Sequence, residues 1–129
     1  ELGVLSPLAE LGITKAQVRE IAADMGLSCA NRPSSPCLAT RLPYGTPISF
    51  ELLARVDAGE QWLKEQGFPI VRLRVHGDIL RIEIDKERFS DFIAMADKIT
   101  AKMKELGFVY ITLDAEGFRS GSMDVHIVK

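Results

Sequence analysis

The stretch from Val71 to Ile84 limits the fold more than any other part of the chain. Val71, Leu73 and Val75 alternate with Arg72, Arg74 and His76; Gly77-Asp78 follows; then Leu80, Ile82 and Ile84 alternate with Arg81 and Glu83. Strand side chains point to opposite faces in turn, so this alternation marks strands buried on one side. Two such runs joined by a Gly-Asp pair predict a β-hairpin. Closing it there pairs Val75 with Leu80, Leu73 with Ile82 and Val71 with Ile84 on one apolar face. A slip of one residue would turn all of them to the wrong side. The other face must then hold Arg72, Arg74, Arg81 and Glu83, with Arg74 directly opposite Arg81.

An apolar hairpin face needs a cover, and the flanking segments have helical periodicity. Before the hairpin, Ser49 reads as an N-cap, Leu52, Val56, Gly59 and Leu63 share one stripe, and Gly67 ends the run. Glu51, Asp57 and Lys64 lie on its exposed face. After the hairpin, Phe89, Phe92, Ile93, Ala96, Ile99, Met103 and Leu106 define a third helix that stops at Gly107 and leads into a strand over Phe108 to Leu113. The connection is long enough for a right-handed parallel crossover. The expected fold class is α+β: a small mixed sheet, hairpin plus crossover strand, covered by helices in α-β-β-α-β order. Further upstream, the Thr14/Gln17 capping box, the Val18, Ile21, Ala22, Met25 spacing and Gly26 predict a helix over Lys15 to Met25. Residues 27–48 lose all periodicity and contain Pro33, Pro36, Pro43, Gly45 and Pro47, an ordered loop of a length that is usually functional. A polar loop over Asp114 to Ser122 precedes a short strand expected at Met123 to Val128.

Composition narrows the function classes. Sixteen basic against eighteen acidic residues leave a net charge of −2, without the cationic surplus that gives nucleic-acid binders their affinity. No apolar run approaches the roughly 20 residues needed to span a bilayer, and no secretory signal pattern is present. A soluble, cytoplasmic protein with a small-molecule partner is expected, and the start at Glu1 without a Met suits a piece of a longer chain. Two cysteines, Cys29 and Cys37, are too few for a disulfide framework, and such a pair in a reducing compartment reads as thiol chemistry or metal ligation.

Cys37 lies in Ser34-Ser35-Pro36-Cys37-Leu38-Ala39-Thr40-Arg41, where the proline fixes the approach and the Arg41 guanidinium can favour the nucleophilic thiolate. The bland alternative is a small buried hydrophobe. Cys29, eight residues earlier, lacks the short spacing of zinc ribbons and redox pairs, so a metal would need further ligands. On the hairpin, Arg72, Arg74 and Arg81 suit a phosphate or carboxylate, because like charges facing each other are unfavourable unless screened. The alternative there is a solvated face on which Glu83 partly neutralises Arg72. Glu60 reads as a general base, a metal ligand or an ordinary exposed helical residue, and His76 as a surface residue. Arg119 and Ser120 lie in a Gly-containing loop that resembles an anion-binding nest in composition.

Taken in order, Ser6-Pro7-Leu8, the Thr14-Lys15 helix start, Ser35-Pro36-Cys37-Leu38-Ala39-Thr40-Arg41, Pro43-Tyr44-Gly45, Arg72-Leu73-Arg74, His76-Gly77-Asp78, Arg81-Ile82-Glu83 and Gly117-Phe118-Arg119-Ser120-Gly121-Ser122 resemble the C-terminal half of the LarE-type ATP-dependent sulfur transferases of the PP-loop pyrophosphatase superfamily. The resemblance implies work on the nickel-pincer cofactor of lactate racemase, with ATP and Mg²⁺ used by the full-length protein. A carboxylate of a pyridinium-biscarboxylate mononucleotide is adenylated, a loop cysteine displaces AMP, and elimination leaves a thiocarboxylate and a dehydroalanine. It places Cys37 at the sacrificial position, Arg72 and Arg74 on the strand that holds substrate phosphate, and Glu60 near an acidic site residue. Some relatives use several cysteines to hold a [4Fe-4S] cluster, a variant with which Cys29 and Cys37 are compatible. The superfamily's SGGxDS phosphate loop is not in this sequence. Residues 1–35 are therefore expected to be the tail of the ATPase domain, 36–48 the reactive-cysteine loop and 49–129 the substrate-side domain. On this reading the chain alone is inactive, and the whole protein forms a homo-oligomer. The rival is an anion-binding or oligomerisation module with a buried, inert Cys37.

Overall fold

A computed structural model describes residues 5–30, 36–119 and 121–123. The chain divides into two compact units, Glu1–Ser35 and Pro36–Lys129.

In the first unit, helix α1 (Pro7–Glu10) is a single turn with proline at its start, and α2 spans Lys15–Asp24. The capping box forms: the Gln17 N–H donates to Thr14 Oγ1 at 3.3 Å and the Thr14 N–H to Gln17 Oε1 at 2.9 Å. Together they satisfy two of the donors that a helix start leaves open.

The second unit is built on the hairpin. Helix α3 (Phe50–Glu65) precedes strands β1 (Val71–His76) and β2 (Ile79–Ile84), which pair antiparallel in the expected register from Val71 with Ile84 to His76 with Ile79. Gly77 adopts φ 60°, a conformation that costs other residues energy, so the two-residue turn closes without strain. Strand β3 (Tyr110–Leu113) lies parallel to β2, giving the sheet order β1-β2-β3. A parallel neighbour cannot be reached by a tight turn, and the connection is helical.

That connection departs from the single helix expected from the sequence. It forms a short 3-10 turn at Lys86–Arg88, then α4 (Phe89–Ala94) and α5 (Ala96–Glu105), separated at Met95. Met95 leaves the helical region at φ −104° and ψ 9°, so α4 and α5 bury different residues: Phe92 from the first, Ile99 and Met103 from the second. Phe92 meets Phe68 edge-on with ring centroids 5.8 Å apart, whereas Ile93, assigned to the apolar stripe by its spacing, is 64% exposed. Strand β3 also starts two residues later than expected. The last strand expected over Met123 to Val128 falls almost wholly outside the described residues.

The core is the apolar face of the sheet, with Val71, Leu73, Leu80, Ile82 and Ile84 fully buried beneath Val56 and Leu63 of α3 and Ile99 and Met103 of α5. Gly59 sets how closely α3 approaches β1. A Cβ placed there would lie 2.6 Å from Leu73 Cδ1 and 3.3 Å from Met103 Sδ, so only glycine fits without repacking. One turn of α3 thereby brings Glu60, the next residue, against the margin of β1.

Candidate active site

The polar face of the hairpin is buried as well. Arg72, Arg74 and Glu83 are each at most 8% exposed, and Arg41 and Glu60, beside the margin of β1, only 1% and 2%. A solvated face, the bland alternative from the sequence, is thereby corrected. Loop segments before α3 and after β3 supply contacts that strand periodicity does not encode.

On the β1 margin, Arg41 ends a 3-10 turn, Leu38–Arg41, and meets Glu60 in a two-point ion pair, Nε to Oε1 at 2.7 Å and Nη2 to Oε2 at 3.1 Å. Glu60 Oε1 also accepts from the Leu73 N–H at 3.0 Å. The view of Glu60 as an ordinary exposed helical residue gives way to a buried carboxylate with both oxygens occupied. The remaining Arg41 nitrogen, Nη1, donates to Thr40 Oγ1 at 2.9 Å. Arg41, expected from the sequence to favour the Cys37 thiolate, thus has its guanidinium engaged by Glu60 and Thr40.

Across the face, Arg74 and Arg81 are opposed as the register requires, and their screening anion is part of the chain. The fully buried Glu83 carboxylate accepts from Arg74 Nε at 3.3 Å, from Arg81 Nη2 at 3.0 Å and from Ser122 Oγ at 2.5 Å. Arg74 Nη1 donates to the Thr40 carbonyl at 2.7 Å, and Arg81 Nε stands 3.6 Å from Asp114 Oδ2. Arg72 donates Nη1 to its neighbour's carbonyl, Val71 O, at 2.8 Å and lies with its guanidinium carbon 5.3 Å from the centre of the Phe118 ring. Arg119 pairs with Glu116 and stands 4.0 Å from Asp114. Ser120 lies outside the described residues.

The electrostatics follow from this crowding. Burial, then Arg41 and Arg74, pull the Arg72 guanidinium below its usual pKa, with Glu60 and Glu83 opposing. Arg74 is lowered chiefly by burial and by Arg41 and Arg81, against Glu83. Both stay charged at physiological pH, because arginine starts so high. Among the described residues the ion pairs of this face set Arg41 against Glu60, Arg74 and Arg81 against Glu83, and Arg81 also against Asp114. Guanidinium groups gathered in this way can take a phosphate or carboxylate in a forked geometry.

Cys37 is exposed and caps the Leu38–Arg41 turn, its carbonyl accepting from Thr40 Oγ1 at 2.8 Å. Thr40 therefore ties the cysteine backbone to both Arg41 and Arg74. The burial of Cys37 expected on the module reading is not what the structure has. Cys29 is exposed in the other unit, and among the described residues no group of three or more His, Cys, Asp or Glu side chains is arranged to hold a metal. A [4Fe-4S] cluster takes about four thiolates, and the two cysteines of this sequence could supply only part of that set. His76 is half-buried, with Nε2 unpartnered among the described residues, beside a shallow, mostly apolar depression lined by Asp78, Ile79, Tyr110 and Thr112.

Thr40, Glu83, Asp114, Phe118 and Ser122 were not singled out by the sequence as site residues. Asp114, Phe118 and Ser122 lie in the loop whose composition resembles a nest, and Glu83 carried a signal of its own: it shares a strand face with Arg81 two residues away and lies diagonal to Arg74, which places it between them.

The second unit is thus a small α+β unit with a buried arginine–carboxylate face and an exposed cysteine at the turn beside it. No family model matches the chain, but curated proteins do, and the chain is part of a LarE-type protein. All 129 residues align at 41% identity with the pyridinium-3,5-bisthiocarboxylic acid mononucleotide synthase of Lactiplantibacillus plantarum, covering 47% of that protein. An uncharacterized protein of Synechocystis aligns over the whole chain at 38% identity, and one from Methanocaldococcus jannaschii over 93% of it at 29%. The chain spans about half the length of the curated relatives it matches. No helix among the described residues is long and apolar enough to cross a membrane.

Proposed function

We propose that this chain is the substrate-side part of an ATP-dependent sulfur transferase of the PP-loop superfamily, converting a carboxylate of a pyridinium mononucleotide into a thiocarboxylate for the nickel-pincer cofactor of lactate racemase. The observation that carries this reading is 41% identity, over all 129 residues of this chain, to 47% of a synthase of pyridinium-3,5-bisthiocarboxylic acid mononucleotide. It is supported by an exposed cysteine whose backbone carbonyl accepts from Thr40, the residue whose own carbonyl accepts from Arg74 of the buried arginine face. The whole protein would act as a cytoplasmic homo-oligomer, with ATP and Mg²⁺ bound by residues outside this chain.

The substrate carboxylate attacks the α-phosphorus of ATP and pyrophosphate leaves. The Cys37 thiolate then attacks the acyl carbon, forming a C–S bond as the bond to AMP breaks. Loss of the Cys37 Cα proton and cleavage of its Cβ–S bond release the thiocarboxylate and leave dehydroalanine, with no change of redox equivalents. Arg72 and Arg74 hold the nucleotide phosphate, Arg81 and Arg119 flank it, and Arg41 with Glu60 fixes the turn that carries Cys37. Glu60 is thus a positioning residue rather than a base, since both its oxygens are occupied. A cluster mechanism would need thiolates from beyond this chain.

The test is intact mass after a single turnover of the full-length protein. The sacrificial route predicts loss of about 34 Da, the mass of H₂S, at Cys37, and no transfer by Cys37→Ala. Repeated turnover with an unaltered Cys37 would refute it.

A further inference from the structure

The Glu83 carboxylate bonds to three different side chains, whereas that of Glu60 bonds to one side chain and one backbone N–H. Glu83 is fully buried on the central strand, yet every partner of its carboxylate comes from a different stretch of chain: Arg74 from β1, Arg81 from β2 itself, and Ser122 from the loop after β3. That loop is stitched to β2 at two further points, Asp114 N–H to Ile82 O at 2.9 Å and Phe118 N–H to Ile84 O at 2.8 Å. Gly117 permits the second: at φ 70° it is buried where a Cβ would lie 3.0 Å from Ile84 O and 2.9 Å from Lys86 Cγ. The loop in turn delivers Phe118 to Arg72 and Asp114 to Arg81 and Arg119. Of these stitches only the one at Ser122 runs through an ionised side chain that also grips the arginines.

We infer that Glu83 is a positioning residue that aims Arg74 and Arg81 at the substrate phosphate and, through Ser122, holds the chain after β3 to the same face. This rests on the sulfur-transferase reading. Glu83 touches no reacting atom. Its anion replaces the repulsion between Arg74 and Arg81 with two directed hydrogen bonds, leaving Arg74 Nη2 outside both bonds that fix its guanidinium, to Glu83 and to the Thr40 carbonyl. Simple charge balance makes the opposite prediction: removing a buried anion beside a phosphate site should tighten phosphate binding.

Calorimetric titration of the full-length protein distinguishes the two, with pyridinium-biscarboxylate mononucleotide as one probe and the nucleoside lacking its phosphate as the other. Glu83→Gln should weaken mononucleotide binding about 10- to 100-fold, the range of one charge-assisted hydrogen bond, and leave nucleoside binding unchanged. Because Glu83 acts partly through Arg74, its replacement should cost less in an Arg74→Ala background than in the native protein, the remainder being what Arg81 and the Ser122 contact carry. Equal losses for both probes, tighter mononucleotide binding, or full additivity in the double variant would overturn the inference while leaving the transferase reading standing. Unaltered mononucleotide affinity in Arg74→Ala would remove the arginine face and this inference with it, although sulfur loss from Cys37 could still be measured. Should Glu83→Gln fail to fold, Ser122→Ala removes only the Ser122 contact. It should cost about 3- to 10-fold in mononucleotide affinity alone, and no change there would refute the role.

Discussion

Replacing Glu60 with Ala isolates the most consequential polar contact in the second unit. The carboxylate is 2% exposed, holds Arg41 at 2.7 and 3.1 Å, and takes the Leu73 N–H at 3.0 Å. Its removal strands a guanidinium that is itself 1% exposed and orphans a backbone donor on β1. Breaking a buried pair from one side costs about 3–5 kcal/mol, and an orphaned buried N–H about 1–3 kcal/mol. The two overlap, since water admitted to one reaches the other, so the expected loss is about 4 kcal/mol. That is a large share of the roughly 5–15 kcal/mol that holds a domain together. Urea unfolding followed by Trp62 fluorescence measures it cleanly, because the chain has one tryptophan and it lies on α3 two residues from the substitution. The double variant Arg41→Met, Glu60→Leu should regain the part due to the stranded charge, since an apolar pair of similar volume leaves none, but not the part due to the Leu73 N–H, which stays unpaired. A Glu60→Ala cost below about 1 kcal/mol, the size of an exposed pair, would refute the reasoning and return Glu60 to the pool of free acid–base groups.

Two other outcomes are expected. Gly59→Ala should destabilise by about 1–2 kcal/mol in the same urea assay, because overpacking against Leu73 and Met103 outweighs the roughly 1 kcal/mol gained in helix propensity; a stabilised variant would mean that α3 can retreat from β1. The His76 imidazole is held below its ordinary pKa of 6.5, first by burial and then by Arg81 and Arg74, with Glu83 opposing. The unfolded chain therefore binds a proton that the folded chain refuses. Stability from this group is complete above about pH 6.5 and falls as pH drops below it toward the lowered folded value, and His76→Gln should flatten that acid-side slope in urea melts run across the interval.

The hairpin was legible to the residue because period-two alternation and a Gly-Asp turn allow a single register that keeps Val71, Leu73, Val75, Leu80, Ile82 and Ile84 together. Helix α3 was legible from its Ser49 cap, whose Oγ accepts from the Leu52 N–H at 3.2 Å. The division of the third helix was not: Phe89 to Leu106 keeps a helical spacing across Met95, and nothing local, neither Gly nor Pro, marks the interruption. At the site, the strand pattern named the arginines but not what they bind. Glu60 occupies a helical position that sequence alone leaves open between surface and interior, and its burial is decided by Arg41, nineteen residues away in a segment without periodicity. Ser122, thirty-nine residues from Glu83, is further still beyond the reach of local reading.

The Leu73 N–H points away from β2, on the outer rail of a sheet whose described order begins at β1. An open rail of donors and acceptors is where a stray strand from another molecule adds, and many proteins guard it with a proline, a lysine or a bulge. Here a helix does it with one carboxylate, seated against the middle of the strand and anchored by a guanidinium. An incoming strand would have to pull apart a buried ion pair before making its first hydrogen bond to Leu73. The residue that secures the cysteine turn thus also acts as a barrier to fibril-like growth from that side, and loss of Glu60 should be felt as precipitation as well as lowered stability.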